Sequence, residues 1–599
     1  MHRPIAAALI SLLAGFASGQ GINPVYVDDS TAARDTLTRM PELVGAGNLS
    51  EAVRSLQRLL DLEAHRALEV PGDSDIFVSV RERVHDAILE SPALLDAYRQ
   101  TQGPVAEMLL GREEHERLET SYFLTHAGAV GALRVAQGHL ESSRFEAARL
   151  TLSPLAFHPD RDAPEIARPA AALASQVARY LDRPEVWAWA DGFAARASVP
   201  SPERAPIAAP AALNETVRSA FTGGARPTVG DMVWTPIRSS PFSPRGIAER
   251  EEAIEDARRG VGGQPIVEPA WAFPTIAAEV VYVNDGATVV AFDRFTLEER
   301  WRTRPLDADG KYEPIEFGRR PNERAYSRGF DDGNTVTLTQ GLVLATTGVA
   351  SGTARSGDPR VHALDRATGR VVWSVDVSEL DPQLQGGSVR GPLLVDGSTV
   401  IVSVRKHVPQ RRLVTAALVG LDLRDGSLGW VTTIGSAGIQ TTSRGGRSTE
   451  GAIVYRGVVY RTDEVGVISA VEASNGRLVW IRRAPATTLI STVSGWPWGT
   501  VVPIIDEGTA EHEGGLVTLT PDRLDVVRLD LATGRLSASR SGGALEQPRY
   551  LVRIGDDIAA IGERRIALVD LATFDSAPVR TSAPLEGDAG SMSGRAFDA

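Results

Sequence analysis

One frame returns six times along the second half of this chain, and a frame that repeats leaves few folds open. It runs from a small residue through an acid to a tryptophan eight positions after that acid. Ala291-Phe-Asp293 leads to Trp301, Ala363-Leu-Asp365 to Trp373, Gly420-Leu-Asp422 to Trp430, and Ala470-Val-Glu472 to Trp480. The last three place Gly369, Gly426 and Gly476 four residues after the acid. A fifth copy keeps Asp530 and Gly534 but has Ala538 where the indole would stand, and a sixth keeps Asp570 but has Phe574 at the glycine position.

Each slot has a local physical reason. The carboxylate accepts from backbone N–H groups of the following turn, and glycine tolerates the positive φ the turn needs. The small residue lets neighbouring sheets approach, and the indole offers a wide apolar face between them. Val280-Val-Tyr-Val283, Asp285-Gly286 and Thr288 to Asp293 read as strand, tight turn, strand. From Asp293 to Asp570 the repeat averages about 55 residues, room for a four-stranded antiparallel sheet with loops. Such sheets arranged about an axis make a β-propeller, which protects its edges by closure. Residues 275–599 are expected to form one. Six blades are legible. Asp332 to Thr347 and Met232 to Pro236 are candidates for parts of others, so seven or eight stay open, as does a ring continued beyond this chain.

Before the propeller the period changes to that of helices. Apolar residues recur at three and four, as in Val53, Leu56, Leu59 and Leu60. Asn48 with Glu51 and Ser143 with Glu146 have capping-box spacing, and an amphipathic stretch from Glu116 to Leu140 precedes the second pair. The small residue Ala147 and the later Pro159 make this unit similar to a tetratricopeptide (TPR) repeat. Residues 30–198 are therefore read as a TPR-like α-solenoid, with an irregular helical bundle as the alternative. The fold class is a multidomain one, an α-solenoid followed by an all-β propeller. Between them, residues 200–274 hold eleven prolines, so a stiff linker is expected over 199–274, with one charged helical island from Ile247 to Arg259.

Met1-His2-Arg3, the apolar run Ile5 to Phe16 and the small residues Ala17-Ser18-Gly19 have the form of a secretory signal peptide over residues 1–19, cleaved before Gln20. No later apolar run reaches the roughly 18 residues of a transmembrane helix, so an exported chain without a membrane span is expected. The net charge of −13 disfavours nucleic acid as a partner. Much of that charge lies on the helical half: residues 21–200 hold 27 acidic against 18 basic side chains. The absence of cysteine excludes disulfides, zinc–thiolate sites and thiol nucleophiles. The only lysines are Lys311 and Lys406, and neither follows a phosphate-binding glycine loop. Asp307-Ala-Asp309-Gly310 lacks the remaining ligands of a Ca²⁺ loop, and His512-Glu513 has no second histidine at zincin spacing. Arg405-Lys406-His407 with Arg411-Arg412 is the one dense basic cluster, read as a long, solvated hairpin loop, with contact to an anion or an acidic partner as the alternative.

The frame Ala-x-Asp-x-x-Thr-Gly-x-x-x-Trp resembles the repeat of pyrroloquinoline-quinone-type (quinoprotein) propellers, from about Val280 to Thr581. That superfamily has an enzymatic branch, the quinoprotein alcohol and glucose dehydrogenases, and a non-enzymatic branch of BamB-like propellers. Both usually have eight blades. A helical region before such a propeller also resembles envelope proteins of planctomycete type. The resemblance implies two functions. One is an exported, non-catalytic scaffold that binds other envelope proteins, without cofactor or small-molecule substrate. The other is a periplasmic dehydrogenase of alcohols or sugars using the quinone and Ca²⁺. The enzymatic branch carries adjacent cysteines over its quinone, which this sequence lacks, so the scaffold is the reading taken. No catalytic, cofactor or metal residue is assigned. The positions singled out are those of the repeat, Asp293, Trp301, Asp365, Gly369, Trp373, Asp422, Gly426, Trp430, Gly476, Trp480, Asp530, Gly534 and Asp570, in structural roles.

Overall fold

In the computed structural model the described residues are 25–205, 207, 217–219 and, within 274–581, all but 285–288, 304–334, 348–359, 412, 439–450, 464, 485–502, 509–513, 522–524, 542–544, 546–547, 549, 562–564, 575 and 577–578. The expected signal segment, most of the proline-rich linker with its helical island, Met232 to Pro236, Asp307 to Gly310 and His512-Glu513 lie outside them.

A short strand β1 (Val25–Tyr26) opens the helical half. The helices α1 (Thr31–Gly45) and α2 (Leu49–Glu63) follow, then strands β2 (Ala67–Val70) and β3 (Asp73–Ser79), then α3 (Val80–Leu89), α4 (Pro92–Leu110) and α5 (His115–Ser121). The set ends with α6 (His126–Glu141), α7 (Phe145–Leu152), α8 (Pro164–Leu181) and α9 (Pro184–Arg196). Serine and threonine start four of these helices by accepting a backbone N–H: Ser30 from Ala33, Ser79 from Glu82, Ser91 from Leu94 and Thr125 from Gly128. The capping boxes expected at Asn48 and Ser143 do not form. Helices do begin there, but Asn48 makes no side-chain cap bond, and Arg144 rather than Ser143 is the residue before α7. Ser143 instead takes a left-handed turn at φ 58°. The long stretch from Glu116 to Leu140 is two helices, α5 and α6, broken at Tyr122 to Thr125. One apolar core running from Ala33 to Phe193 joins most of these helices.

The hairpin β2–β3 interrupts the helical period. Pro71 and Gly72 make its turn, with Gly72 at φ 85°.

The second half builds six sheets among the described residues. Blade one is β5 (Thr275–Ala277), β6 (Val280–Asn284), β7 (Val289–Asp293) and β8 (Glu299–Arg302), with the short strand β4 (Val217–Ser219) paired to β5. Blade two is β9 (Val336–Leu338), β10 (Leu342–Thr347), β11 (Arg360–Asp365) and β12 (Val371–Asp376), so the segment ending at Thr347 supplies its first two strands. Blade three is β13 (Gly387–Asp396), β14 (Thr399–Val408), β15 (Leu413–Asp422) and β16 (Leu428–Gly438). Blade four is β17 (Gly451–Tyr455), β18 (Val458–Asp463), β19 (Val467–Glu472) and β20 (Leu478–Arg483). Blade five is β21 (Ile504–Asp506), β22 (Gly515–Leu519), β23 (Asp525–Leu529) and β24 (Leu536–Ser541). Blade six is β25 (Tyr550–Ile554), β26 (Asp557–Ile561), β27 (Ile566–Asp570) and β28 (Arg580–Thr581).

All pairings within the blades are antiparallel. First strands of neighbouring blades lie together, β9 with β13, β13 with β17 and β21 with β25, so the fourth strand of each blade is its outer edge. Each apolar cluster of this half bridges two consecutive blades, from one–two through to five–six. Burial of these facing sheets, rather than any single blade's own core, is what stabilises the stack.

Candidate functional site

The acid turns close as their composition requires. The Asp365 carboxylate accepts the Thr368 backbone N–H at 2.9 Å and its hydroxyl at 2.6 Å, and Asp530 and Asp570 hold Thr533 and Thr573 in the same way. Asp293 accepts from Arg300 and from the Thr296 and Phe295 N–H groups, which hold its carboxyl well below the usual range. Asp422 is lowered chiefly by the Arg424 side chain. Gly369, Gly426, Gly476 and Gly534 all take positive φ, and in the first copy Leu297 takes that conformation instead.

The tryptophans join one blade to the next. The Trp301 indole N–H donates to the Arg366 carbonyl at 3.1 Å, Trp373 to Leu423 at 2.9 Å, Trp430 to Ala473 at 3.1 Å and Trp480 to Leu531 at 3.0 Å. In every case the acceptor is the residue after the next blade's acid. The next blade's turn glycine lies flat on the ring: a Cβ on Gly369 would come within 2.4 Å of Trp301, and one on Gly476 within 2.5 Å of Trp430. All four indoles are buried. The small residue two before the acid has a different role from the one expected. It stands opposite its own blade's tryptophan, Ala363 against Trp373 and Gly420 against Trp430, and makes room for that ring.

The fifth blade exchanges all three parts at once. With Ala538 in place of the indole, the opposite position is Arg528. Its guanidinium donates to the Leu571 carbonyl, the acceptor that an indole N–H would meet. Phe574, in the glycine position of blade six, fills the vacated volume at 1% exposure, under the guanidinium groups of Arg528 and Arg540. Arg528 also pairs with Asp506 at 2.9 Å. Sequence reading noted Phe574 only as a departure from the frame and missed its partnership with Arg528, because each fits only against the other's blade.

A second unforeseen feature is a docking seam between the helical half and the outer edges of blades three and four. The strand β1 pairs with β16, Val25 opposite Ala437 and Tyr26 opposite Ser436. The hairpin strand β3 pairs with β20, Phe77 opposite Ile481 and Ile76 opposite Arg482, so blade four becomes a six-stranded sheet. Four charged side chains line the seam in series. Arg81 meets Glu119 at 2.8 Å, Glu119 meets Arg477 at 2.9 Å, and Arg477 grips the Glu472 carboxylate through two nitrogens at 3.0 and 3.1 Å. Their side chains are about nine-tenths buried, so each charge depends on its neighbour. Around them Arg483 meets Asp75 at 3.3 Å and Arg456 meets Glu185 at 2.9 Å. Burial, with Glu146 opposite, pushes the Asp396 carboxyl up to about 6.

The basic cluster is partly consumed within the fold. Arg405 is 8% exposed beside Asp463, and the Lys406 ammonium donates to the Gln383 carbonyl at 2.9 Å. Arg411 is exposed at the tip of the hairpin. The chain has no cysteine pair, and among the described residues no three His, Asp or Glu side chains converge at metal distance. No helix among the described residues is long and apolar enough to cross a membrane.

The family described as outer membrane protein assembly factor BamB matches residues 230–540, just over half of the chain. Solved structures similar to it include quinohemoprotein alcohol dehydrogenase from Comamonas testosteroni, 17% identical over 46% of this chain and 43% of that one, with a TM-score of 0.31. A europium-containing methanol dehydrogenase is 15% identical over 45% and 53%, with a TM-score of 0.30. BamB from Moraxella catarrhalis is 16% identical over 52% and 74%, with a TM-score of 0.28. The chain thus spans about half the length of these dehydrogenases, 43% and 53%. No curated protein matches it.

Proposed function

Because the chain belongs to the family of the outer membrane protein assembly factor BamB, we propose that it is an exported, non-catalytic scaffold that binds other envelope proteins during outer-membrane protein assembly. The observation that carries this reading is the seam. The propeller's outer edges already bind strands and helices, through β1 on β16, β3 on β20 and the series Arg81–Glu119–Arg477–Glu472. The repeat residues are spent on holding blades together, Trp to Gly to backbone. Export through the segment over residues 1–19 belongs to the same proposal.

Crosslinking in envelope extracts, followed by identification of the captured proteins, tests it. The expected capture is of outer-membrane or assembly proteins at near-equal stoichiometry. Saturable absorbance changes on titration with pyrroloquinoline quinone and Ca²⁺, together with dye-linked oxidation of an alcohol or sugar, overturn it in favour of a dehydrogenase.

A further inference from the structure

Blades two and four carry the same outer-edge signature, Gly369-Arg370-Val371-Val372-Trp373 and Gly476-Arg477-Leu478-Val479-Trp480. The other blades do not: the residues at the two apolar positions are Glu299-Arg300, Leu428-Gly429 and Leu536-Ser537 in blades one, three and five. In blade four each part of the signature is occupied. Arg477 reaches Glu119, Leu478 packs in one cluster with Ala67 and Phe77, and Val479 packs in another with Val78. Just beyond, Ile481 and Arg482 pair with β3.

In blade two the same positions face solvent. Val371 and Val372 are each 47% exposed, and the Arg370 side chain is exposed, acting on the Asp365 carboxylate without an ion pair among the described residues. The strand β12 is the last of its sheet, with β11 on one side and no strand on the other among the described residues. Blade three, next to it, carries β1 at its own edge, so this bare edge continues an occupied one.

We propose that the outer edge of blade two, residues 370–375, is a strand-addition site for a partner protein. This deepens, and rests on, the scaffold reading. The chemistry of the partner follows from the occupied copy. It presents an extended strand with an aromatic or branched side chain where Phe77 stands, and a carboxylate that reaches Arg370 as Glu119 reaches Arg477. One position differs. Asp376 stands where blade four has Arg483, which pairs with Asp75 of the hairpin. A strand carrying Asp there would set two carboxylates together, so the partner carries Lys or Arg at that place, and the chain's own hairpin is disfavoured.

The test uses the full chain and a fluorescent peptide of residues 67–79 with Asp75→Lys. Saturable one-to-one binding by anisotropy is expected, with affinity falling at least tenfold for the unsubstituted Asp75 peptide and for the variant Val371→Asp/Val372→Asp. Both substituted side chains are exposed, so the variant's thermal unfolding should match the native chain's. Equal affinity for native chain and variant, or no saturable binding, overturns the site. The two readings separate in envelope crosslinking. If the variant captures the same partners at unchanged yield, the blade-two edge is wrong and the scaffold stands; if the native chain captures none, the scaffold reading itself falls.

Discussion

A tryptophan joins two blades here because the neighbouring turn has no side chain to exclude it, so indole and glycine behave as one unit. Trp430→Ala is expected to cost about 3–5 kcal/mol, the usual range for emptying a large buried aromatic site. Gly476→Ala is expected to cost about 2 kcal/mol, since positive φ and a Cβ 2.5 Å from the Trp430 ring both oppose it. The exchange at blade five makes a sharper prediction. Trp480→Ala with Gly534→Phe should be less destabilising than the sum of its single substitutions by about 1–2 kcal/mol, because the introduced phenyl ring would refill the volume as Phe574 does. Denaturant midpoints of the four proteins measure this, and additivity would sink the idea. The acid turns were legible because their bonds close within a few residues, as between Asp365 and Thr368. The Arg528–Ala538–Phe574 exchange showed in the sequence only as two departures from the frame, since its parts meet across blades.

Among the elements, the hairpin at 67–79 shows where periodicity fails. Helices flank it closely, and a helical period read across the region absorbs it. Pro71-Gly72 between short apolar runs was the available signal. The helices themselves were legible from their apolar spacing, whereas their capping bonds were not, because Asn48 and Ser143 fit the pattern without making the bond. The same half carries the chain's clearest acid sensitivity. Burial lowers the pKa of His65, His85, His139 and His158, that of His139 to about 4. A histidine held neutral in the fold stabilises it fully above its unfolded value near 6.5, and that contribution is lost as pH falls below 6.5. The helical half should therefore lose amide-exchange protection as pH falls from about 6.5 towards the His139 value of about 4, ahead of the blades. Equal loss in both halves over that window would contradict this.

Across the whole molecule, the sequence showed two halves and six repeats, while the way they join stayed hidden. A strand pairing between residues about 400 positions apart, such as Phe77 with Ile481, leaves no local trace. Nor did Glu472, in place of the usual aspartate, announce that its turn is covered by helices. Removing Arg477 takes from the buried Glu472 the guanidinium bound to it and leaves Glu119 with Arg81 alone. Arg477→Ala should therefore loosen the docked helices by about 3 kcal/mol. The expected readout is roughly 100-fold faster amide exchange at residues 67–79, with the inner strands of the blades unchanged. Unchanged exchange at the hairpin would mean that strand pairing alone holds the seam. The joint between blades five and six has a consequence for how such a chain can change over generations. Four junctions share one interchangeable fitting, so gene segments encoding those blades could be duplicated or shuffled and still seat. Blade six, with Phe574 in place of glycine, would collide with any indole-bearing predecessor, which fixes its place in the order after blade five.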